Sequence, residues 1–145
     1  MRRLLKLVRS SIHWGVLLFA LTPALQGPIA AHSQPAPAHP RPIRVWSGVA
    51  SWYGEEFQGR ETANGETFNM YGTTAASLNL PFGSLVRLVN PKTGKSQIVR
   101  INDRGPYVEG REMDVSYEVA RRLGIDSAGV SRLRMELIEV PTRRD

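Results

Sequence analysis

Two acidic residues stand beside turn sequences, where a carboxylate can be presented for proton transfer. Asp103 ends the β-like stretch IVRIND, and the Arg104-Gly105-Pro106 that follows is typical of a turn. Glu66 comes directly after Asn64-Gly65, a pair typical of tight turns. Each carboxylate is therefore a candidate general acid or base. The structural alternatives are that Asp103 only ends a strand and that Glu66 is a solvated loop residue.

The alternation within IVRIND predicts the direction of the Asp103 side chain. In a regular strand Val99, Ile101 and Asp103 share one face, and the neighbouring arginines point the other way. Asp103 would then lie at the rim of an apolar face, where loss of water favours the protonated form that donates a proton. A β-bulge before Asp103 would reverse this orientation.

The composition restricts the chemistry that the C-terminal hundred or so residues can perform. All three histidines, His13, His32 and His39, precede this part, and the chain has no cysteine. A Ser-His-Asp triad, a cysteine nucleophile and a zinc site built from His or Cys are therefore excluded there. Carboxylates remain the natural acid–base groups, and cleavage of glycosidic bonds is a common use of them.

The net charge of +6 does not indicate nucleic-acid binding, because its excess lies at the N-terminus. Arg2, Arg3, Lys6 and Arg9 carry it, and no acidic residue precedes Glu55. From residue 32 onward 15 Lys and Arg face 13 Asp and Glu, a difference of +2. We therefore expect no nucleic-acid partner.

The sequence predicts four segments. Residues 1–31 combine a basic start, the apolar run IHWGVLLFALTPAL and small residues, the pattern of a secretory signal peptide, with an uncleaved anchor as the alternative. Residues 32–42 form a Pro/Ala-rich disordered tether, 43–141 the folded domain and 142–145 a tail. We expect membrane contact only during export, and a location in the periplasm or cell-wall space. Without a cysteine there is no lipid-modified residue.

Strand patterns dominate the folded domain. They cover 45–54, 84–90, 96–103 and 133–140, and the turn PKTGK predicts a hairpin between the second and third. YEVARRL predicts one short helix, with Ser116 as its N-cap and Gly124 just after it. Short strands with a single helix favour a small β-barrel over a sandwich.

Five stretches in one order resemble the rare lipoprotein A family, the septal-ring lytic transglycosylases. They are GVASWYG, TANGETFN, TAASLNLPFGSLVRLVN, VRINDRGPY and MDVS, and the resemblance covers about residues 48–140. The resemblance implies a mainly β fold, a small six-stranded double-psi β-barrel with one or two short helices.

The resemblance also implies an activity. Family members cut peptidoglycan glycan strands, prefer strands stripped of stem peptides and leave 1,6-anhydro-muramoyl ends, with neither metal nor cofactor. Asp103 and Glu66 match the catalytic carboxylates of the family. Glycan-binding candidates are Trp52, Tyr53, Asn64, Asn69, Ser77 and Arg104. Cell-division or wall-synthesis proteins are candidate partners.

Two positions depart from the family pattern. Ser77 stands where the family usually has His, and Asn69 where it usually has Asp. Ser77 cannot titrate near neutrality, and loss of a nearby negative charge at position 69 would lower the pKa of Glu66 and of Asp103 and weaken either as an acid. Two hypotheses follow: an active lytic transglycosylase that tolerates both changes, or a glycan-binding barrel without catalysis.

Overall fold

Six β-strands close into one barrel in the computed structural model, in the order β1-β5-β2-β4-β3-β6. The strands are β1 (Arg44–Tyr53), β2 (Thr74–Ala76), β3 (Leu85–Val89), β4 (Ser96–Asp103), β5 (Met113–Ser116) and β6 (Val130–Glu139). One helix, α1 (Tyr117–Leu123), follows β5, and a short 3-10 turn (Glu55–Phe57) follows β1. The predicted mainly β, six-stranded barrel is confirmed.

The structure describes residues 40–142. The predicted signal peptide at 1–31, most of the predicted tether at 32–42 and all but the first residue of the predicted tail lie outside these residues. Their assignments remain predictions. Within the described part, no helix is long and apolar enough to cross a membrane.

Alternating apolar side chains build the barrel core. Val86 and Leu88 of β3, Ile101 of β4 and Leu133 and Met135 of β6 are completely buried. Strands β3 and β4 pair antiparallel, from Leu85 opposite Arg100 to Val89 opposite Ser96, which confirms the predicted hairpin. Burial of this inward row at about 25 cal/mol per Å² of apolar surface is the main force that holds the strands together.

The two shortest strands were not predicted from alternation. Strand β2 has three residues and β5 has four, which is too few for a period of two to be recognised. Strand β2 runs parallel to β4 and antiparallel to β5, and β5 runs parallel to β1. These parallel pairs bring the C-terminal ends of β1 and β5 side by side, and likewise those of β2 and β4.

The helix has its predicted bounds, but its start differs from the prediction. Gly124 adopts the left-handed conformation after the last turn, with a φ of 69° that favours glycine. Ser116 occupies the N-cap position without capping, because its hydroxyl donates a hydrogen bond to the Gly72 carbonyl. That bond joins the start of the helix to the loop before β2.

Candidate functional site

Strand β4 contains a bulge immediately before Asp103. Ala75 lies opposite Ile101, but the next residue, Ala76, lies opposite Asp103, so that Asn102 is the extra residue. Paired residues point to the same face of a sheet, and Asp103 therefore faces away from Ile101 and the core. The prediction from regular alternation, that Asp103 shares the face of Val99 and Ile101, is therefore wrong. Instead, Asn102 is the buried residue, at 2% exposure.

Asp103 is half-buried and only one of its carboxylate oxygens is engaged. Oδ1 accepts hydrogen bonds from the Ala63 amide at 2.9 Å and from the Arg104 amide at 2.8 Å. Oδ2 accepts no hydrogen bond from residues 40–142, and no Arg or Lys in that range forms an ion pair with Asp103. Asp103 is thus held in place by two backbone amides and keeps a free oxygen.

An open groove of about 460 Å³ runs past Asp103. Its walls are the end of β1, the 3-10 turn and the loop between β4 and β5. The aromatic residues along it are Trp52, Tyr53, Phe57 and Tyr107, and the charged ones are Glu56, Asp103, Arg104, Arg111 and Asp114. Aromatic faces mixed with polar groups suit a sugar chain, whose rings have apolar faces and hydroxyl rims.

Tyr53 lines the groove together with the carboxylates of Asp103 and Asp114. Its ring stacks on Phe68, with 4.4 Å between centroids. Burial raises the pKa of the Tyr53 phenol above its usual range, and the negative charges of Asp103 and Asp114 raise it further. The hydroxyl thus stays protonated at neutral pH. Its oxygen is buried and has no hydrogen-bond partner within 40–142.

Asp114 is a second carboxylate in the groove, and the sequence analysis did not identify it as a site residue. As a residue just before the helix it resembles a capping group, but it lies in β5 and accepts a short hydrogen bond from the Ser51 hydroxyl. Its Oδ2 lies 3.5 Å from Nη2 of Arg111. A polar residue between buried Met113 and Val115 was the available signal for a side chain on the outer face.

Glu66 lies in a separate cleft of about 290 Å³, which Asn69, Arg100 and Asn102 also line. Arg100 donates two hydrogen bonds to it, Nη1 to Oε1 at 2.7 Å and Nη2 to Oε2 at 2.8 Å. Hydrogen bonds from Arg100, then Asn102 and Asn64, lower the pKa of Glu66 to about 2. The carboxylate is therefore ionised and fully engaged at neutral pH.

The structure divides the predicted site residues into two groups. Trp52, Tyr53 and Arg104 line the groove with Asp103, whereas Asn64 and Asn69 lie with Glu66. Asn64 accepts hydrogen bonds from Thr62 and the Glu66 amide, and Asn69 accepts one from the Tyr71 amide. Both asparagines therefore shape their own turns.

Ser77 and Arg104 are close to Asp103, but the Ser77 amide and the Arg104 guanidinium donate to backbone carbonyl groups. The Ser77 amide donates to the Asp103 carbonyl at 3.2 Å, and the buried Ser77 side chain is not part of the groove lining. The Arg104 guanidinium donates to the carbonyls of Ser77 and Leu80 at 2.9 and 3.0 Å and lies 3.6 Å from the Phe82 ring centroid. Arg104 is thus largely occupied within the fold.

The described residues contain no cluster of three or more acidic side chains that could hold a metal ion. The groove offers three carboxylates, two tyrosines and two arginines as its reactive or binding groups. A carboxylate held by backbone amides with one free oxygen can exchange a proton with a bound glycosidic oxygen or hydroxyl.

The chain matches known proteins over the same barrel. The sequence profile of the family described as "Lytic transglycolase" matches residues 45–135. The "Endolytic peptidoglycan transglycosylase RlpA" of Vibrio cholerae is 48% identical over 99 residues, which are 67% of this chain and 38% of that protein. The protein of the same name from Pseudomonas aeruginosa is 50% identical over 92 residues, 63% of this chain and 27% of that one. The chain thus matches well under half the length of these relatives.

Solved structures agree with the fold. The Streptomyces papain inhibitor superposes with a TM-score of 0.56 at 15% identity, over 68% of this chain and 97% of that one. An apo expansin of Clavibacter michiganensis gives 0.54 at 21% identity, over 69% of this chain and 53% of that one. At these identities the likeness shows the barrel fold alone.

Proposed function

The chain belongs to the lytic transglycolase family with a double-psi β-barrel, and from this premise we propose that it is an endolytic peptidoglycan lytic transglycosylase. Its proposed substrate is the bond from N-acetylmuramic acid to N-acetylglucosamine in glycan strands with few stem peptides. The names of relatives about half identical in sequence support this class of reaction. The observation that carries the assignment of a site is the free oxygen of Asp103 in the groove.

Asp103 is the proposed acid and base. In the first step its protonated carboxyl gives a proton to the glycosidic oxygen, the bond from that oxygen to the muramoyl C1 breaks, and the N-acetylglucosamine hydroxyl leaves. In the second step the Asp103 carboxylate takes the proton of the muramoyl C6 hydroxyl, and the C6 oxygen bonds to C1. The proton returns to Asp103 and no water is consumed, so one carboxyl group performs both steps.

Asp114 is proposed to stabilise the positive charge that develops at C1 as the glycosidic bond breaks. The Ser51 hydroxyl holds its carboxylate at the wall of the groove through a short hydrogen bond. A fixed negative charge in this position requires no rearrangement during the reaction, which is the condition for efficient electrostatic stabilisation. Trp52 and Tyr53 are proposed to contact the sugar rings on the same wall.

Glu66, predicted as a catalytic residue, is proposed to act through the loop that it closes. The Glu66 carboxylate ties its loop to Arg100 and Asn102 of β4, and the Ala63 amide of this loop binds Asp103. Its low pKa makes it a poor proton donor at neutral pH. This role explains why an ionised glutamate belongs to the site without lining the groove.

The proposed substrate lies outside the cytoplasm, which agrees with the export predicted from residues 1–31. We propose action in the periplasm or cell-wall space, with membrane contact only during export. Cell-division or wall-synthesis proteins remain proposed partners.

The diagnostic product is the 1,6-anhydro-muramoyl end, which is lighter by one water than the reducing end that a hydrolase leaves. Mass spectrometry of peptide-stripped glycan strands incubated with the purified protein detects it. Binding of the strands without new ends of either kind would instead support the second hypothesis, a glycan-binding barrel in which Ser77 and Asn69 accompany the loss of catalysis.

A further inference from the structure

Three arginines stand close to the two clefts, and they differ in how many of their donors are used. Arg100 is committed to Glu66 through two hydrogen bonds. Arg104 donates to the carbonyls of Ser77 and Leu80 and lies over an aromatic ring. The Arg100 guanidinium is paired with a carboxylate, and that of Arg104 is anchored to the backbone through Nη1.

Arg111 is the exception. It lines the Asp103 groove and its side chain is 27% exposed. Within the described part of the chain its guanidinium donates no hydrogen bond, and its only charged neighbour is Asp114, with 3.5 Å between Nη2 and Oδ2. Its buried Nε likewise has no acceptor there. Because Nε is buried, a ligand in the groove would meet the Nη groups, which donate no hydrogen bond within residues 40–142 and can therefore bind an acceptor from outside.

The geometry of the loop directs this group into the groove. Arg111 is the second-last residue of the connection between β4 and β5, and its amide donates to the Val108 carbonyl at 3.2 Å. The preceding Gly110 has a φ of 81°, a conformation that favours glycine. Arg111 is thereby placed among the residues that line the groove, together with Asp103 and Asp114.

A guanidinium presents parallel N–H donors that match the two oxygens of a carboxylate. We propose that Arg111 binds the lactyl carboxylate of N-acetylmuramic acid, an inference that rests on the proposed function. In a strand without stem peptides this group is an anion, whereas a stem peptide converts it into a neutral amide. Arg111 therefore selects muramoyl residues whose lactyl carboxylate is free.

The charges of the groove favour such a cation. Three carboxylates, those of Glu56, Asp103 and Asp114, line it against two arginines, Arg104 and Arg111. An anionic glycan is repelled by the carboxylates unless a cation with available donors lies beside it. Arg111 supplies a positive charge whose side chain donates no hydrogen bond within the described part of the chain.

The test compares two matched tetrasaccharides of alternating N-acetylglucosamine and N-acetylmuramic acid. One has free lactyl carboxylates, and in the other they are converted to methylamides. Binding is measured by titration calorimetry in an Asp103→Asn background, which prevents turnover. The parent is expected to bind the free-carboxylate ligand at least about 10-fold more tightly, as for a hydrogen-bonded ion pair.

Adding Arg111→Gln should remove the difference in affinity between the two ligands. The affinity of this variant for the methylamide ligand should stay unchanged, which also shows that the variant is folded. Arg111→Lys should retain part of the difference. The matched control Arg132→Gln, at an exposed arginine on β6, should retain all of it. An unchanged difference in Arg111→Gln would overturn the inference.

The outcomes separate this inference from the proposed function. Discrimination that depends on Arg111, in a protein whose wild-type form makes no anhydro ends, supports the carboxylate site and contradicts the lyase. Anhydro ends from wild type, with equal binding of both ligands, support the lyase and contradict the carboxylate site. Failure to bind either ligand contradicts both.

Discussion

Glu66 and Arg100 form a bidentate ion pair, with 2.7 Å from Nη1 to Oε1 and 2.8 Å from Nη2 to Oε2. The pair joins the loop of residues 62–66 to strand β4. One residue of this loop, Ala63, donates its amide hydrogen to the catalytic candidate Asp103. The loop of residues 62–66 therefore connects the ion pair of Glu66 to the hydrogen bond that positions Asp103.

Removal of the Glu66 charge should weaken the fold, and the loss should depend on pH. The pKa of Glu66 is lowered from 4.5 to about 2, so the ion pair stabilises the folded state above about pH 4.5 and loses this effect as the pH falls toward 2. Glu66→Gln should lower the free energy of unfolding at pH 7 by about 1 kcal/mol, near the upper end for an exposed pair.

Urea unfolding at pH 7 and at pH 2.5 measures this effect. The difference between wild type and Glu66→Gln should shrink at the lower pH. Glu55→Gln, a change at an exposed glutamate outside both clefts, serves as the control. A difference that is equal at both pH values would mean that the charge of Glu66 is not what stabilises the loop.

Asp114→Asn should reduce the formation of anhydro ends on the order of 100-fold, because it removes the negative charge proposed to stabilise the transition state. Asparagine retains an acceptor for the Ser51 hydroxyl, so glycan binding and thermal stability should change little. Glu109→Gln is a matched change at an exposed residue of the β4–β5 loop. Equal rates for the two variants would remove Asp114 from the mechanism.

Tyr53→Phe tests whether the free hydroxyl serves the substrate. The hydroxyl has no partner among the described residues, so its removal should leave the melting temperature unchanged or slightly higher. Because the oxygen is buried, cleavage should also stay near the wild-type rate. A loss of cleavage of about 10-fold or more in Tyr53→Phe, with the fold intact, would show that the hydroxyl does contact the glycan.

Tyr107 is expected to stack on a sugar ring at the edge of the groove. It is 80% exposed, and Tyr71, which lines neither cleft, is 64% exposed. Tyr107→Ala should weaken glycan binding about 3- to 10-fold, as expected for loss of an aromatic contact. Tyr71→Ala should bind as wild type does. Similar affinities of the two variants, measured by titration in the Asp103→Asn background, would contradict the stacking.

The sequence predicted most of the barrel because its longer strands alternate and its helix ends at a glycine. Strands β2 and β5 did not follow from alternation, since three or four residues contain too little periodicity. The resemblance to a known family supplied the full number of strands. The fold class was thus predictable, whereas the derivation from residues alone was incomplete.

The site was less predictable because it depends on one extra residue and on long-range contacts. The bulge at Asn102 turns the Asp103 side chain to the face opposite to Ile101, and nothing in the sequence IVRIND predicts a bulge there. The hydrogen-bond partners of Arg100 and Arg104 lie more than twenty residues away in the chain. The role proposed for Arg111 as a carboxylate-binding residue depends on these contacts as well as on its own. Spacing alone could not assign these contacts.

The central claim, that Asp103 performs acid–base chemistry on glycan strands, is tested by mass spectrometry of peptide-stripped strands incubated with wild type and with Asp103→Asn. The variant keeps an acceptor for the amides of Ala63 and Arg104, so its fold should persist. We expect 1,6-anhydro ends from wild type and none from Asp103→Asn, which should still retain the strands in a pull-down. Anhydro ends from both proteins, or strand binding without cleavage by wild type, would contradict the claim.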